Sequence, residues 1–222
     1  MIRLNIIAEG PTEQLFANGV LTQYLGNFNI SVAVTCVLTN REKKAKGGLA
    51  DYKKAQDHIT SWLKQDRDRN ARFTTMFDLY GLPDNFPGFQ ETSKIIDPYE
   101  KVNLLENALK ENINDYRFIP YLQLHEFESI ILANLSLLVE RFPDFENGIE
   151  QLSEICQTYE SPELINEGEM TAPSKRIMQL IPEYKKVATV RSIAKEINLQ
   201  VVREKCPHFN DWISQLESLS ST

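Results

Sequence analysis

The chain has 222 residues, of which 42% are hydrophobic and 25% charged, and a formal net charge of −7. These values fit one large globular domain, or a domain with an appendage, and exclude a disordered or low-complexity chain. Apolar stretches such as Ile130–Leu132 and Ser136–Val139 are too short to span a membrane, and the acidic balance argues against a protein that coats nucleic acid unaided.

The segment Ile2–Ala8 is isoleucine-rich and apolar on both faces, as a buried parallel strand should be, and reads as strand rather than secretion signal. Gly10-Pro11 ends it, and Phe16, Val20 and Tyr24 then recur at helical spacing. A second strand is expected over Asn29–Leu38, where β-branched residues alternate. A basic, glycine-containing loop leads to a helix from about Leu49 to Leu63. Phe73–Phe77 reads as the third strand, ending at Asp78, and Gly81–Gly88 as a turn-rich loop. A helix over Val102–Ile113 precedes a fourth strand, Phe118–Leu124, which runs into His125-Glu-Phe-Glu128 and an apolar helix, Ser129–Leu132. Beyond about residue 135 the pattern is helical throughout. Strands alternating with helices build a parallel sheet covered on both faces. The expected fold class is therefore α/β: a core over 1–134 with a parallel-rich, four-stranded sheet flanked by helices, and a C-terminal helical extension over 135–222 packed on it.

Cys36, Cys156 and Cys206 are scattered and odd in number, with no C-x-x-C pair, which suggests reduced thiols in a cytoplasm. Charge is unevenly distributed. Leu138 to Glu169 carries nine acids against one arginine, whereas Met170 to Cys206 carries eight Lys/Arg against three Glu. A second basic cluster, Arg41-Glu-Lys-Lys-Ala-Lys46, precedes Gly47-Gly48. Two readings stand side by side: a solvated charge mosaic, or basic patches suited to a phosphate backbone. Lys46 with the backbone N–H groups of Gly47 and Gly48 could hold a phosphate, though Gly-Gly is also ordinary loop chemistry.

In open α/β sheets, ligands bind beyond the carboxyl ends of the strands. Three such ends carry acids here: Glu9 after the first strand, Asp78 after the third, and Glu126 with Glu128 after the fourth. Carboxylates brought together need shared protons or a cation. Magnesium suits such a group, because it takes hard oxygen ligands and needs only one or two carboxylates beside a phosphate. Each acid also has a structural reading. Glu13 is a helix cap as readily as a ligand, and Glu128 can be a first-turn helix residue and nothing more.

Five motifs then converge: Glu9-Gly-Pro-Thr-Glu13, Met76-Phe-Asp-Leu-Tyr-Gly-Leu-Pro83, Leu124-His-Glu-Phe-Glu128, Thr171-Ala-Pro-Ser-Lys-Arg176 and Cys206-Pro-His-Phe. Together, in this order and over nearly the whole chain, they resemble the bacterial, Toprim-like domain-of-unknown-function 4276 family. The resemblance implies a Toprim-like core with a glutamate after the first strand and an Asp-x-Asp after the third, jointly holding magnesium or manganese. Glu9 matches the glutamate and Asp78 the first aspartate. Tyr80 stands where the second aspartate is expected, so that Glu126 or Glu128 must replace the missing ligand or the site is weak. The resemblance further implies a nuclease acting on DNA or RNA, in the cytoplasm, as effector of an anti-phage defence system with an AAA-type ATPase as partner. A homo-oligomer is left open. Lys175 would stabilise transition-state charge, or is a surface lysine near a helix start. Tyr80, His125 and Arg176 join Lys46, Gly47 and Gly48 as expected substrate contacts. The alternative is a non-catalytic, partner-binding subunit built on a degenerate core of the same kind.

Overall fold

A computed structural model of the protein describes residues 1–37, 49, 51–165, 168 and 171–221. Strand β1 (Ile2–Ala8) lies in the middle of a wholly parallel sheet, between β2 (Ile30–Cys36) and β3 (Ala71–Asp78). The fourth strand is in two pieces, β4 (Phe118–Ile119) and β5 (Leu122–Gln123), both paired with β3. The order is β2-β1-β3-β4, with β5 continuing along β3; the parallel pairing is what the alternation of strands and helices predicts.

The expected single strand Phe118–Leu124 is broken because Pro120 has no N–H to give to the ladder. The register is the same on both sides of the gap, and the side chain of Thr75 fills it. Its hydroxyl accepts from the N–H of Tyr121 at 2.9 Å and donates to the carbonyl of the same residue at 2.9 Å. Further along this sheet edge, the N–H of Leu122 donates to Glu106 Oε1 at 2.8 Å, and His208 Nε2 lies 3.2 Å from the Leu122 carbonyl.

Between β1 and β2 the chain runs through α1 (Pro11–Phe16), a π-helical turn (Ala17–Leu21) and α2 (Thr22–Gly26). Helices α3 (Tyr52–Gln65) and α4 (Pro98–Ile113) flank β3 in the sequence. The first starts later than the expected Leu49, because Asp51 caps it by accepting from the Lys53 N–H at 3.0 Å. The second starts four residues before the expected Val102, because Asp97 accepts from the Glu100 N–H at 2.7 Å and Pro98 occupies the first turn. It ends at Asn114, which adopts the left-handed conformation with φ 51°.

The remainder is helical: α5 (Glu128–Ala133), α6 (Ser136–Arg141), α7 (Glu146–Gln157), α8 (Pro173–Leu180), α9 (Lys186–Ile193), α10 (Leu199–Lys205) and α11 (Pro207–Ser218). The sheet separates two cores. On one face Ile7, Phe73 and Phe77 pack with Ile59, Leu105 and Leu109 of α3 and α4. On the other, Leu4, Ile6 and Met76 pack with Phe16 and Leu21, with Val190 and Ile193 of α9, and with Phe209 and Trp212 of α11. The helices after residue 135 thus complete the core over one face of the sheet. Trp212 Nε1 donates to Thr74 Oγ1 at 3.0 Å, and its ring stacks on Tyr121 with centroids 4.1 Å apart.

Candidate functional site

The parallel arrangement delivers the carboxyl ends of β1, β3 and β5 to one place, and the acids that follow them meet there. Glu9 Oε2 accepts from the backbone N–H of Asp78 at 2.9 Å, while the Glu9 N–H donates to the Met76 carbonyl at 3.0 Å. Asp78 Oδ1 accepts from the N–H of Phe127 at 3.0 Å, which fastens the turn after β5 to the end of β3. Glu13, in the first turn of α1, bends back so that Oε2 accepts from the Gly10 N–H at 3.0 Å. This is the capping geometry expected of an acid at that position, and it keeps the side chain buried.

Glu126 and Glu128 have separate partners. Both oxygens of Glu126 are held by Ser174, Oε2 by its N–H at 2.9 Å and Oε1 by its hydroxyl at 3.0 Å. Glu128 is fully buried at the start of α5, and Oε1 accepts from the Tyr184 hydroxyl at 3.3 Å. Its Oε2 has no hydrogen-bond partner of suitable angle but lies 2.9 Å from the ammonium of Lys186. That ammonium is also 3.5 Å from Asp78 Oδ2.

Two carboxyl groups, Asp78 and Glu128, thus face one ammonium directly, and its charge also reaches Glu9 and Glu13. Burial pushes Glu9 up to about 8, with the negative charge of Asp78 adding to the rise. Burial likewise lifts Glu13 to about 7 against the pull of Lys186. Asp78 and Glu128 are raised for the same reason, again opposed by Lys186. For Lys186 burial acts downward, but Asp78, Glu128 and Glu13 outweigh it and the group is held firmly charged.

The other expected site residues fall as follows. His125 adopts φ 60°, rare outside glycine, and its carbonyl accepts from the Tyr80 N–H at 2.9 Å. Burial, followed by the nearby Lys101 charge, lowers the His125 imidazole to about 4. The Tyr80 side chain is 41% exposed. Arg176 Nε donates to the Thr171 carbonyl at 2.8 Å, and Nη2 to the Tyr159 hydroxyl at 3.4 Å. Lys175 is exposed on α8, so the ammonium that meets Asp78 and Glu128 belongs to Lys186 instead. Lys46, Gly47 and Gly48 lie outside the described residues.

Three residues of the cluster escape sequence reasoning: Lys186, Ser174 and Tyr184. The signal for Ser174 is faint but real, since Pro173 marks a helix start and puts the next N–H among the unpaired donors of a first turn. Lys186 has no comparable signal; it is one of eight basic residues in its segment.

The donor set is hard oxygen, which fits magnesium or manganese chemically, and Glu128 Oε2 is a buried carboxylate oxygen lacking a hydrogen bond. Among the described residues no three His, Cys, Asp or Glu side chains converge as a ready-made ligand group. A cation here would rest on one or two carboxylates, with phosphate oxygens and water completing its shell.

Fold and site together define an α/β protein with an acidic centre beyond the carboxyl ends of its parallel strands. More particularly, the chain belongs to the family described as Domain of unknown function (DUF4276), whose model matches residues 8–217. The match takes in the five acids, β2 to β5 and the helices from α1 to α11, but only the last residue of β1. No curated protein and no solved structure matches the chain. Among the described residues no helix is long and apolar enough to cross a membrane.

Proposed function

We propose that the protein is a metal-dependent, Toprim-like phosphodiesterase that cuts DNA or RNA. The observation that carries this reading is the hydrogen bond from the Asp78 N–H to Glu9 Oε2, which ties the carboxylate after the first strand to the backbone of the acid that ends the third, beside buried Glu13 and Glu128. Glu9 and Asp78 would hold the ion, with Glu128 nearest to complete its shell. Magnesium or manganese bound there supplies polarisation of a phosphoryl oxygen and acidification of a bound water. Glu126, clamped by Ser174, orients the start of α8 rather than moving protons. Lys186, rather than the exposed Lys175, places positive charge beside Asp78 and Glu128 in the metal-free protein. The partner is proposed to be an AAA-type ATPase in a cytoplasmic phage-defence system, on the strength of the family resemblance and of three free thiols.

The test is cleavage of labelled DNA and RNA with magnesium or manganese, alone and with the ATPase, by the wild type and by a Glu9→Gln/Asp78→Asn variant. Metal-dependent cutting lost in the variant is the expected result. A protein that binds neither ion and cuts nothing with its partner present would overturn the reading.

A second reading, a non-catalytic partner-binding subunit, is favoured by the exposed tyrosine at position 80 in place of an acid. It would be preferred if the double variant folds, binds the partner and keeps its full cellular effect.

A further inference from the structure

Within the acidic cluster several oxygens are already engaged by hydrogen bonds. Glu9 Oε2, Glu13 Oε2, Asp78 Oδ1 and both oxygens of Glu126 accept hydrogen bonds from the backbone or from Ser174. Asp78 Oδ2 and Glu128 Oε2 instead face the ammonium of Lys186, at 3.5 and 2.9 Å. A divalent ion drawing on Asp78 and Glu128 beside Glu9 would take those same two oxygens, at about 2.1 Å for magnesium. An ammonium left in place would stand within a few ångströms of the ion, in surroundings that screen like charges poorly. The two cations exclude each other. Lys186 also has somewhere to go. Its side chain is 35% exposed, whereas that of Glu128 is wholly buried, and its four-carbon stem is flexible.

We propose that Lys186 is a resident counter-ion: it neutralises Asp78 and Glu128 in the metal-free protein and must swing out toward solvent before a divalent cation can bind. It sets the metal affinity by competition. This rests on the reading that the cluster takes such a cation, but not on the chemistry that follows.

The experiment titrates the full chain with Mn2+ by calorimetry, comparing wild type, Lys186→Met and Lys186→Arg at neutral pH. Lys186→Met should bind at least ten-fold more tightly, and Lys186→Arg should resemble the wild type. In parallel, acylation of the wild type by acetic anhydride is read residue by residue by mass spectrometry. Saturating Mn2+ should raise labelling of Lys186 several-fold and leave the exposed Lys175 unchanged. Equal or weaker binding by Lys186→Met, or Lys186 labelling that stays constant or falls while Mn2+ binds, overturns the competition and leaves the metal reading standing. Absence of Mn2+ binding in every form overturns both. Tighter binding by Lys186→Met without cleavage of any nucleic acid supports the competition and counts against the proposed reaction alone.

Discussion

Ser174 holds both carboxylate oxygens of Glu126, one through its N–H and one through its hydroxyl, across 48 positions of sequence. The clamp ties the first turn of α8 to the acidic turn that follows β5. Ser174→Ala keeps the backbone bond and removes the other, so it should cost about 1 kcal/mol in urea unfolding. No measurable loss would mean that water replaces the hydroxyl at no cost.

A second carboxylate serves a helix start in the interior. Glu163, fully buried, accepts from the N–H groups of His208 and Phe209 at 3.0 and 2.9 Å, at the beginning of α11. Glu163→Ala strands both donors and should destabilise the fold by about 3 kcal/mol. Glu163→Gln retains one acceptor and should lose about half as much, measured in the same denaturant titration.

Stability should fall as pH rises above about 6.5. Glu9 and Glu13, at about 8 and about 7 when folded, titrate in the unfolded chain near 4.3, so the folded state holds the extra protons in between. His208 acts in the same direction. Burial lowers it, but the hydrogen bond and charge of Glu106 prevail and raise it overall. Its stabilising share is complete below about 6.5 and is lost as pH rises through the folded value. The Tm of metal-free protein should therefore decline from about pH 6.5 to 8.5, above the range in which the lowered His125 works in the opposite sense, and less steeply in Glu9→Gln. A Tm that climbs over this range would contradict the assignment.

Trp212 is 3% exposed and joins α11 to β3 by its bond to Thr74 and its stack on Tyr121. Trp212→Phe keeps an aromatic face but leaves the Thr74 hydroxyl without its donor, and should cost about 1–2 kcal/mol. Trp212→Ala should cost about 3–5 kcal/mol. Thermal melts followed by far-ultraviolet circular dichroism distinguish the two.

The strand pattern and the strand-end acids were legible because each depends on short-range signals. Ile2–Ala8 shows a buried parallel strand in its composition, and Glu9 and Asp78 sit beside the turns that end strands one and three. The break in the fourth strand was foreshadowed by Pro120, yet its repair by Thr75 needs a residue 46 positions away from Tyr121. Lys186 was hidden for a similar reason. Nothing in Tyr184-Lys-Lys186 separates it from Lys185 or Lys175; only the packing of α9 against α1 turns its ammonium toward the acids. The π-helical turn at Ala17–Leu21 has no evident sequence cause.

The treatment of Leu122 has a consequence for assembly. An outermost strand ordinarily offers its free N–H and C=O groups to any extended segment that comes alongside. At Leu122 both are already occupied, one by Glu106 and the other by His208, and these two side chains are themselves joined at 3.0 Å. A strand from another molecule could not be zipped onto this border without prising apart a buried acid–imidazole pair. At Leu122, at least, this border of the sheet is closed to strand addition.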